Sequence, residues 1–210
     1  MLRRKIGQQL GQPTKSVAGW LVTKFLKWHN VILEENAVKR CQIQPDETVL
    51  ELGHGPGFGL QAAVKLLTGS KGKLLGVDYS EYMHQMATKR MSDHIASGKV
   101  TLHLGNITAM PITDSSVDKV YHCNCYYYWP DLKAGATEIH RVMKPGGLMI
   151  TTLRLDNVAI FANKKILSGE NWRPEAYMDV LQFAGFTDVR MTTSRDKMIK
   201  IETIYATATK

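Results

Sequence analysis

The sequence predicts an α/β protein: an open, mostly parallel sheet with helices on both faces, closed by an antiparallel hairpin. Three observations predict it. The stretch Val49 to Leu60, Val-Leu-Glu-Leu-Gly-His-Gly-Pro-Gly-Phe-Gly-Leu, joins a short apolar run to alternating glycines at Gly53, Gly55, Gly57 and Gly59. That reads as a buried strand, a tight turn and the start of a helix. Beyond it, short apolar runs alternate with helical patterns, as βα units do. The last two patterned stretches, Thr187 to Thr193 and Ile199 to Thr207, alternate apolar and polar residues with no helix between them.

Composition sets the bounds. A chain of 210 residues suits one α/β domain with a full core. Its apolar and charged fractions are those of a globular protein, and no apolar run reaches the length of a membrane span. Three cysteines, irregularly placed, suit free thiols in a reducing compartment, hence a cytoplasmic location. The net charge is +8, yet the six basic residues Arg3, Arg4, Lys5, Lys15, Lys24 and Lys27 stand in an acid-free start, which leaves the rest of the chain at +2. A nucleic-acid groove is therefore not expected. A basic, acid-free start also fits a mitochondrial leader, so that reading stays open.

Taken in order, residues 14 to 41 carry two helical patterns. Val17, Trp20, Leu21, Lys24, Phe25 and Trp28 recur at helical spacing, and Asn30 is the expected cap of a second helix through Leu33 and Val38, with Glu34 and Glu35 in its first turns. Trp20 and Phe25 are expected in the core. Trp28 and His29, at the junction, are open between packing and a role towards substrate. Thr48 to Leu52 is strand one, and the helix from Phe58 to Leu67 points the positive end of its dipole at whatever the turn holds. Strand two, Leu74 to Val77, ends at Asp78, about 20 residues beyond the glycines and at the spacing that lets a carboxylate reach a ribose diol. Ser80 caps a helix running to Ile95, and Val100 to Leu104 is strand three. Val117 to Asn124 is strand four, followed by the loop Cys125 to Pro130 and a helix capped by Asp131. Strand five is Leu148 to Leu153, residues 154 to 172 are an irregular insert, and a helix from Pro174 ends at Gly185.

The turn identifies the ligand class. A dinucleotide fingerprint beginning at Gly53 and Gly55 needs glycine where Phe58 stands, so a nicotinamide enzyme is not expected. What stands there is Glu51-x-Gly53-x-Gly55-x-Gly57, with an acid that repels a pyrophosphate and suits an ammonium group. This pattern resembles motif I of the class I S-adenosyl-L-methionine (SAM)-dependent methyltransferases, in the compact small-molecule (methyltransferase type 11-like) group. Arg-Val-Met-Lys-Pro-Gly-Gly-Leu at 141–148 is similar to the segment before strand five in that superfamily, and residues 105–112 are similar to its segment after strand three. Together the resemblance covers about residues 30 to 208.

The resemblance implies a Rossmann-like seven-stranded sheet over residues 45–210, with residues 1–44 as a helical lid or extension. It implies SAM as cofactor, S-adenosyl-L-homocysteine (SAH) as product, and no metal. Glu51 would stand near the methionine ammonium, Gly53, Gly55 and Gly57 along the methionine and ribose, and Asp78 at the ribose hydroxyls. Tyr79 would flank the adenine, Asn106 would accept from its amino group and Ile107 would pack on its ring. His54 would face the methionine end, and Asn124 would complete the set. The loop after strand four would border the transferred methyl, which makes Tyr126, Tyr127, Tyr128 and Trp129 candidate substrate residues and Tyr126 a candidate catalytic one; from the lid, Trp28 is a candidate substrate residue and His29 a candidate base.

An Asn-Pro-Pro-Tyr motif is absent, because Asn124-Cys125-Tyr126-Tyr127 lacks both prolines, and no Pro-Cys nucleophile occurs. The expected activity is methyl transfer to an oxygen or nitrogen of a small molecule, by a monomer or homodimer. Its rivals are action on RNA or protein and a SAM-binding partner without catalysis.

Overall fold

The structure is a computed structural model describing residues 7, 9–167 and 170–209, with the backbone alone for residues 18, 22 and 25–29. Seven strands form one sheet in the order β3-β2-β1-β4-β5-β7-β6. They are β1 (Thr48–Leu52), β2 (Lys73–Asp78), β3 (Val100–Leu104), β4 (Val117–Cys123), β5 (Met143–Leu153), β6 (Phe186–Asp196) and β7 (Ile199–Ala208). β1 to β5 pair in parallel, and β7 runs antiparallel between β5 and β6. The expected parallel sheet with its closing hairpin is what is found. The order reverses between β1 and β4, the place where open α/β sheets leave a crevice beyond the carboxyl ends of their strands.

Alternation along the strands makes two cores. Leu50, Val120 and Met149 face a layer with Ile139 and Val142 of α5 (Leu132–Val142) and Leu181 of α7 (Pro174–Phe183). Val49, Tyr121 and Ile150, one residue along, face the other layer, with Leu60 and Ala63 of α2 (Phe58–Val64) and Ala37 and Cys41 of α1 (Val17–Cys41). That one-residue change of face is the pleat of the strand. Each fully buried aliphatic side chain contributes about 1.5–3 kcal/mol. The second half of α1 therefore belongs to the packed layer and is not merely a cover.

Three elements differ from expectation. α1 is a single helix of 25 residues, capped by Ser16, whose Oγ accepts from the Gly19 N–H at 3.0 Å. Asn30 lies inside it and caps nothing; its Oδ1 accepts from Asn124 Nδ2 at 3.0 Å. A tertiary partner outweighs the small intrinsic cost of asparagine in a helix. Trp20 is 47 % exposed with Lys24 Nζ 4.0 Å from its ring centre, so it is not a core residue. The side chains of Phe25, Trp28 and His29 lie outside the described residues. The helix after Ser80 divides into α3 (Glu81–Arg90) and α4 (Ser92–Ala96).

The third difference is α6 (Leu155–Asn163), a helix where an irregular insert was expected. It has no capping side chain of its own, and its first N–H, that of Leu155, donates to Glu202 Oε2 of β7 at 2.9 Å. Among the described residues no helix is long and apolar enough to cross a membrane.

Candidate functional site

β1 delivers the chain into a turn where Gly53 and Gly55 have φ of 61° and 51°, the left-handed region that favours glycine. The Gly53 N–H donates to the Val77 carbonyl, and the Gly55 N–H donates to Asp78 Oδ2, both at 2.8 Å. Asp78 Oδ1 accepts from the Ser80 N–H at 2.8 Å. One carboxylate thus joins the turns after β1 and β2. A carboxylate has about four acceptor positions, so Asp78 keeps capacity for a further donor. A Cβ added at Gly53 would stand 3.2 Å from the Cβ of Cys125, whereas one at Gly55 would meet nothing within 4 Å.

Gly55 is bare because it faces a cavity of about 450 Å³ beyond the carboxyl ends of β1, β2 and β4, a volume usual for small-molecule sites. The sheet supplies Leu52, Val77 and Asp78, and the following loops supply Tyr79, Asn106, Ile107 and Asn124. Tyr127, Tyr128 and Trp129 form an aromatic side. α1 adds Asn30 and Glu34, one helical turn apart, and α6 adds Arg154, Asn157, Val158 and Phe161. Residues 10–13 also line it. They cross between the start of α3 and the aromatic loop: the Pro13 carbonyl accepts from Ser80 Oγ at 2.6 Å, and Gly11 lies against the ring of Tyr128.

Several expected residues stand elsewhere. Glu51 does not line the cavity; it is 2 % exposed beneath the turn, and its Oε2 accepts from Tyr121 Oη at 3.0 Å. His54 is fully buried on the far side, with Nδ1 2.8 Å from the Gly55 carbonyl and its ring 6.0 Å from that of His84. Gly57 is not on the cavity wall either. Tyr126 is fully buried, stacked on Tyr177 at 4.3 Å between ring centres, and donates to the Trp172 carbonyl at 2.7 Å. A catalytic or substrate-contacting Tyr126 is thus replaced by a packing one, because the 3₁₀ turn at Tyr126–Tyr128 sends the first ring inward and the next two to the cavity. Asn106 lines the cavity, but its Oδ1 already accepts from the Thr108 N–H at 3.1 Å.

The electrostatics come from burial. Desolvation pushes the Glu34 carboxyl up to about 7, with Arg90 and the Gly59 N–H pulling the other way and Glu35 pushing with it. Desolvation, then the charge of Glu34, hold Glu51 well above the usual carboxylate range. Burial raises the thiols of Cys123 and Cys125, so both keep their protons. His122, behind the aromatic loop, is pushed down to about 3 by burial and is neutral, with Nε2 2.8 Å from Thr151 Oγ1 and from Tyr177 Oη. Among the described residues no group of three or more His, Cys, Asp and Glu is arranged to hold a metal ion.

Comparison with known proteins identifies the scaffold. Residues 49–147 match the model of the methyltransferase domain family. The uncharacterized methyltransferase YdaC of Bacillus subtilis (strain 168) is 30% identical over 138 residues, 66% of this chain and 71% of that one. The chain belongs to the class I SAM-dependent methyltransferases.

The sterol 24-C-methyltransferase of Pneumocystis carinii (strain B80) is 33% identical over 106 residues, half of this chain but only 27% of that one. Among solved structures, a chain of the complex between the Haloferax volcanii Trm112 methyltransferase activator and a methyltransferase superposes with a TM-score of 0.76 at 20% identity. The match covers 90% of this chain and 93% of that one. At that identity the match shows the shared fold.

The cavity of this methyltransferase fits the cofactor on its own terms. Gly55 leaves backbone open to a ligand, Asp78 has acceptor positions left for a diol, and Ile107 is an apolar surface for a flat ring. Glu34 brings a buried carboxylate to the same cavity. Sequence reading missed Glu34, Arg154, Asn157 and Phe161. Only the four-residue spacing of Asn30 and Glu34 pointed to a shared face.

Proposed function

We propose that this methyltransferase moves the methyl group of SAM to an oxygen or nitrogen of a small molecule. The observation that carries the reading is the cavity itself: residues 10–13 close over it, and Tyr127, Tyr128, Trp129 and Phe161 give it an aromatic and apolar side. A cavity of about 450 Å³ has the volume of small-molecule sites, which supports an acceptor of that class. SAM, when bound, supplies a methyl group already activated by a sulfonium charge. The chain's own residues then have to hold the acceptor in line, and proximity of that kind supplies about 7–11 kcal/mol in good intramolecular cases.

In this reading Asp78 holds the ribose, Gly53 and Gly55 the backbone side of the cofactor, and Ile107 and Tyr79 the adenine. The rings of Tyr127, Tyr128 and Trp129 orient the acceptor, and the strap of residues 10–13 excludes water. Neither Cys123 nor Cys125 enters as a nucleophile, since burial keeps both thiols protonated.

The test is transfer of labelled methyl from SAM into a cell extract cleared of endogenous SAM. Label in the small-molecule fraction, absent with Asp78→Ala, is the expected outcome. Label on RNA or protein would replace this reading with the macromolecular one. Binding of SAM with no transfer to any fraction would favour a non-catalytic SAM-binding protein.

A further inference from the structure

Among the described residues the cavity wall holds two carboxylates, Asp78 and Glu34, and only Asp78 has hydrogen-bond partners on both oxygens. Glu34 is 7 % exposed, and its Oε2 is buried with no partner. Buried acceptors are nearly always hydrogen-bonded, so a bare one on a cavity wall marks the place of a missing donor. Among the described residues, the Gly59 N–H from the first turn of α2, Arg90 from the end of α3 and Glu35, next on α1, act on it, and it acts in turn on Glu51 of β1 and the Cys123 thiol of β4. The Arg90 guanidinium is spread over the Phe58 ring at 3.8 Å. Glu51, in contrast, has its partners in Tyr121 and the Leu60 N–H and stands off the cavity.

We propose that Glu34, and not Glu51, receives the ammonium group of the cofactor's methionine, which makes α1 a wall of the cofactor site. This rests on the reading of the cavity as the SAM site. An ammonium offers three donors and a positive charge, which meets both the bare oxygen and the repulsion between Glu34 and Glu51. Without cofactor, burial, with the charge of Glu35 adding to it, keeps the Glu34 carboxyl protonated in part at neutral pH. The arriving ammonium displaces the proton to solvent. Binding below about pH 7 therefore releases up to one proton per cofactor, and affinity falls by up to tenfold per pH unit as the pH is lowered.

Isothermal titration of the full chain with SAH and with 5′-methylthioadenosine separates the amino-acid end from the adenosine end, since the second compound lacks the ammonium. With SAH the wild type should release a proton between pH 6 and 7, seen as a binding heat that depends on buffer ionisation. With Glu34→Gln that release should vanish and SAH should bind about 30-fold or more weakly, while 5′-methylthioadenosine binds both proteins alike. Equal SAH affinity in wild type and variant overturns the proposal. So does an equal loss for both compounds, or SAH binding by the wild type without proton release, which needs no variant at all. Binding of neither compound by the wild type would instead remove the SAM-site reading on which the proposal stands.

Discussion

Asp78 accepts from the backbone of two separate turns, so its charge belongs to the fold as much as to the cavity. Hydrogen bonds to a charged acceptor are worth about 1.5–3 kcal/mol each. Asp78→Asn turns an amide NH2 towards one of the two N–H groups that the carboxylate satisfied. The expected outcome is a loss of about 1.5–3 kcal/mol in urea unfolding and SAM affinity reduced about 10-fold or more by titration. Full stability and full affinity in this variant would show the carboxylate to be idle. Asp78 was legible in the sequence because its distance from the glycines is fixed by one βα unit. Glu34 was not, because its role depends on a helix that crosses the sheet and brings it to Gly59 and Arg90. Glu51 and His54 were misplaced for a related reason. Sequence spacing does not fix which way a side chain leaves a glycine turn, and these two are buried off the cavity wall.

At the scale of elements, Ser80 does two things at once. Its Oγ accepts from the Met83 N–H at 3.3 Å, which caps α3, and donates to the Pro13 carbonyl at 2.6 Å, which holds the strap. Ser80→Ala removes both. A lost cap costs about 1 kcal/mol, which in a protein of this size lowers Tm by about 2–4 °C. The added loss of the strap contact should raise the KM for the methyl acceptor more than that for SAM. A variant with a lower Tm and both KM values unchanged would show that the strap is held by its other contacts, such as Gly11 on Tyr128. The strands and the closing hairpin were readable from local pattern alone, as was the Ser80 cap. The continuity of α1 and the existence of α6 were not. In each case the deciding partner is remote: Asn124 stands 94 residues from Asn30, and Glu202 stands 47 residues from Leu155. Local propensity carries no trace of such partners.

For the molecule as a whole, buried groups titrate in opposite senses, His122 in one and Glu34, with Glu51 beside it, in the other. His122 is neutral in the fold, its proton affinity depressed from 6.5 to about 3 by burial. The unfolded chain therefore binds the extra proton first, and stability is lost as pH falls from 6.5 towards 3. Glu34 is displaced the other way, from 4.5 to about 7, so the folded form holds its proton longer and stability is lost as pH rises from 4.5 to 7. The two slopes oppose each other between 4.5 and 6.5, and each full effect is on the order of 3–5 kcal/mol. Without cofactor the melting temperature should be highest on the acid side of neutrality and fall towards both pH 4 and pH 8. Glu34→Gln should raise Tm at pH 8 and leave the acid limb as it was, measured by thermal unfolding across the range. If Glu34 is a purely structural residue, saturating SAH should lift Tm by a similar amount at every pH, following its concentration over Kd. If the ammonium meets Glu34, SAH should lift the neutral and alkaline side more than the acid side, because the ligand supplies the positive charge that the ionised carboxylate lacks. A buried carboxylate that weakens the empty protein near neutrality and is relieved by the ligand makes stability a reporter of occupancy, and that difference between pH 6 and pH 8 can be read without knowing the methyl acceptor.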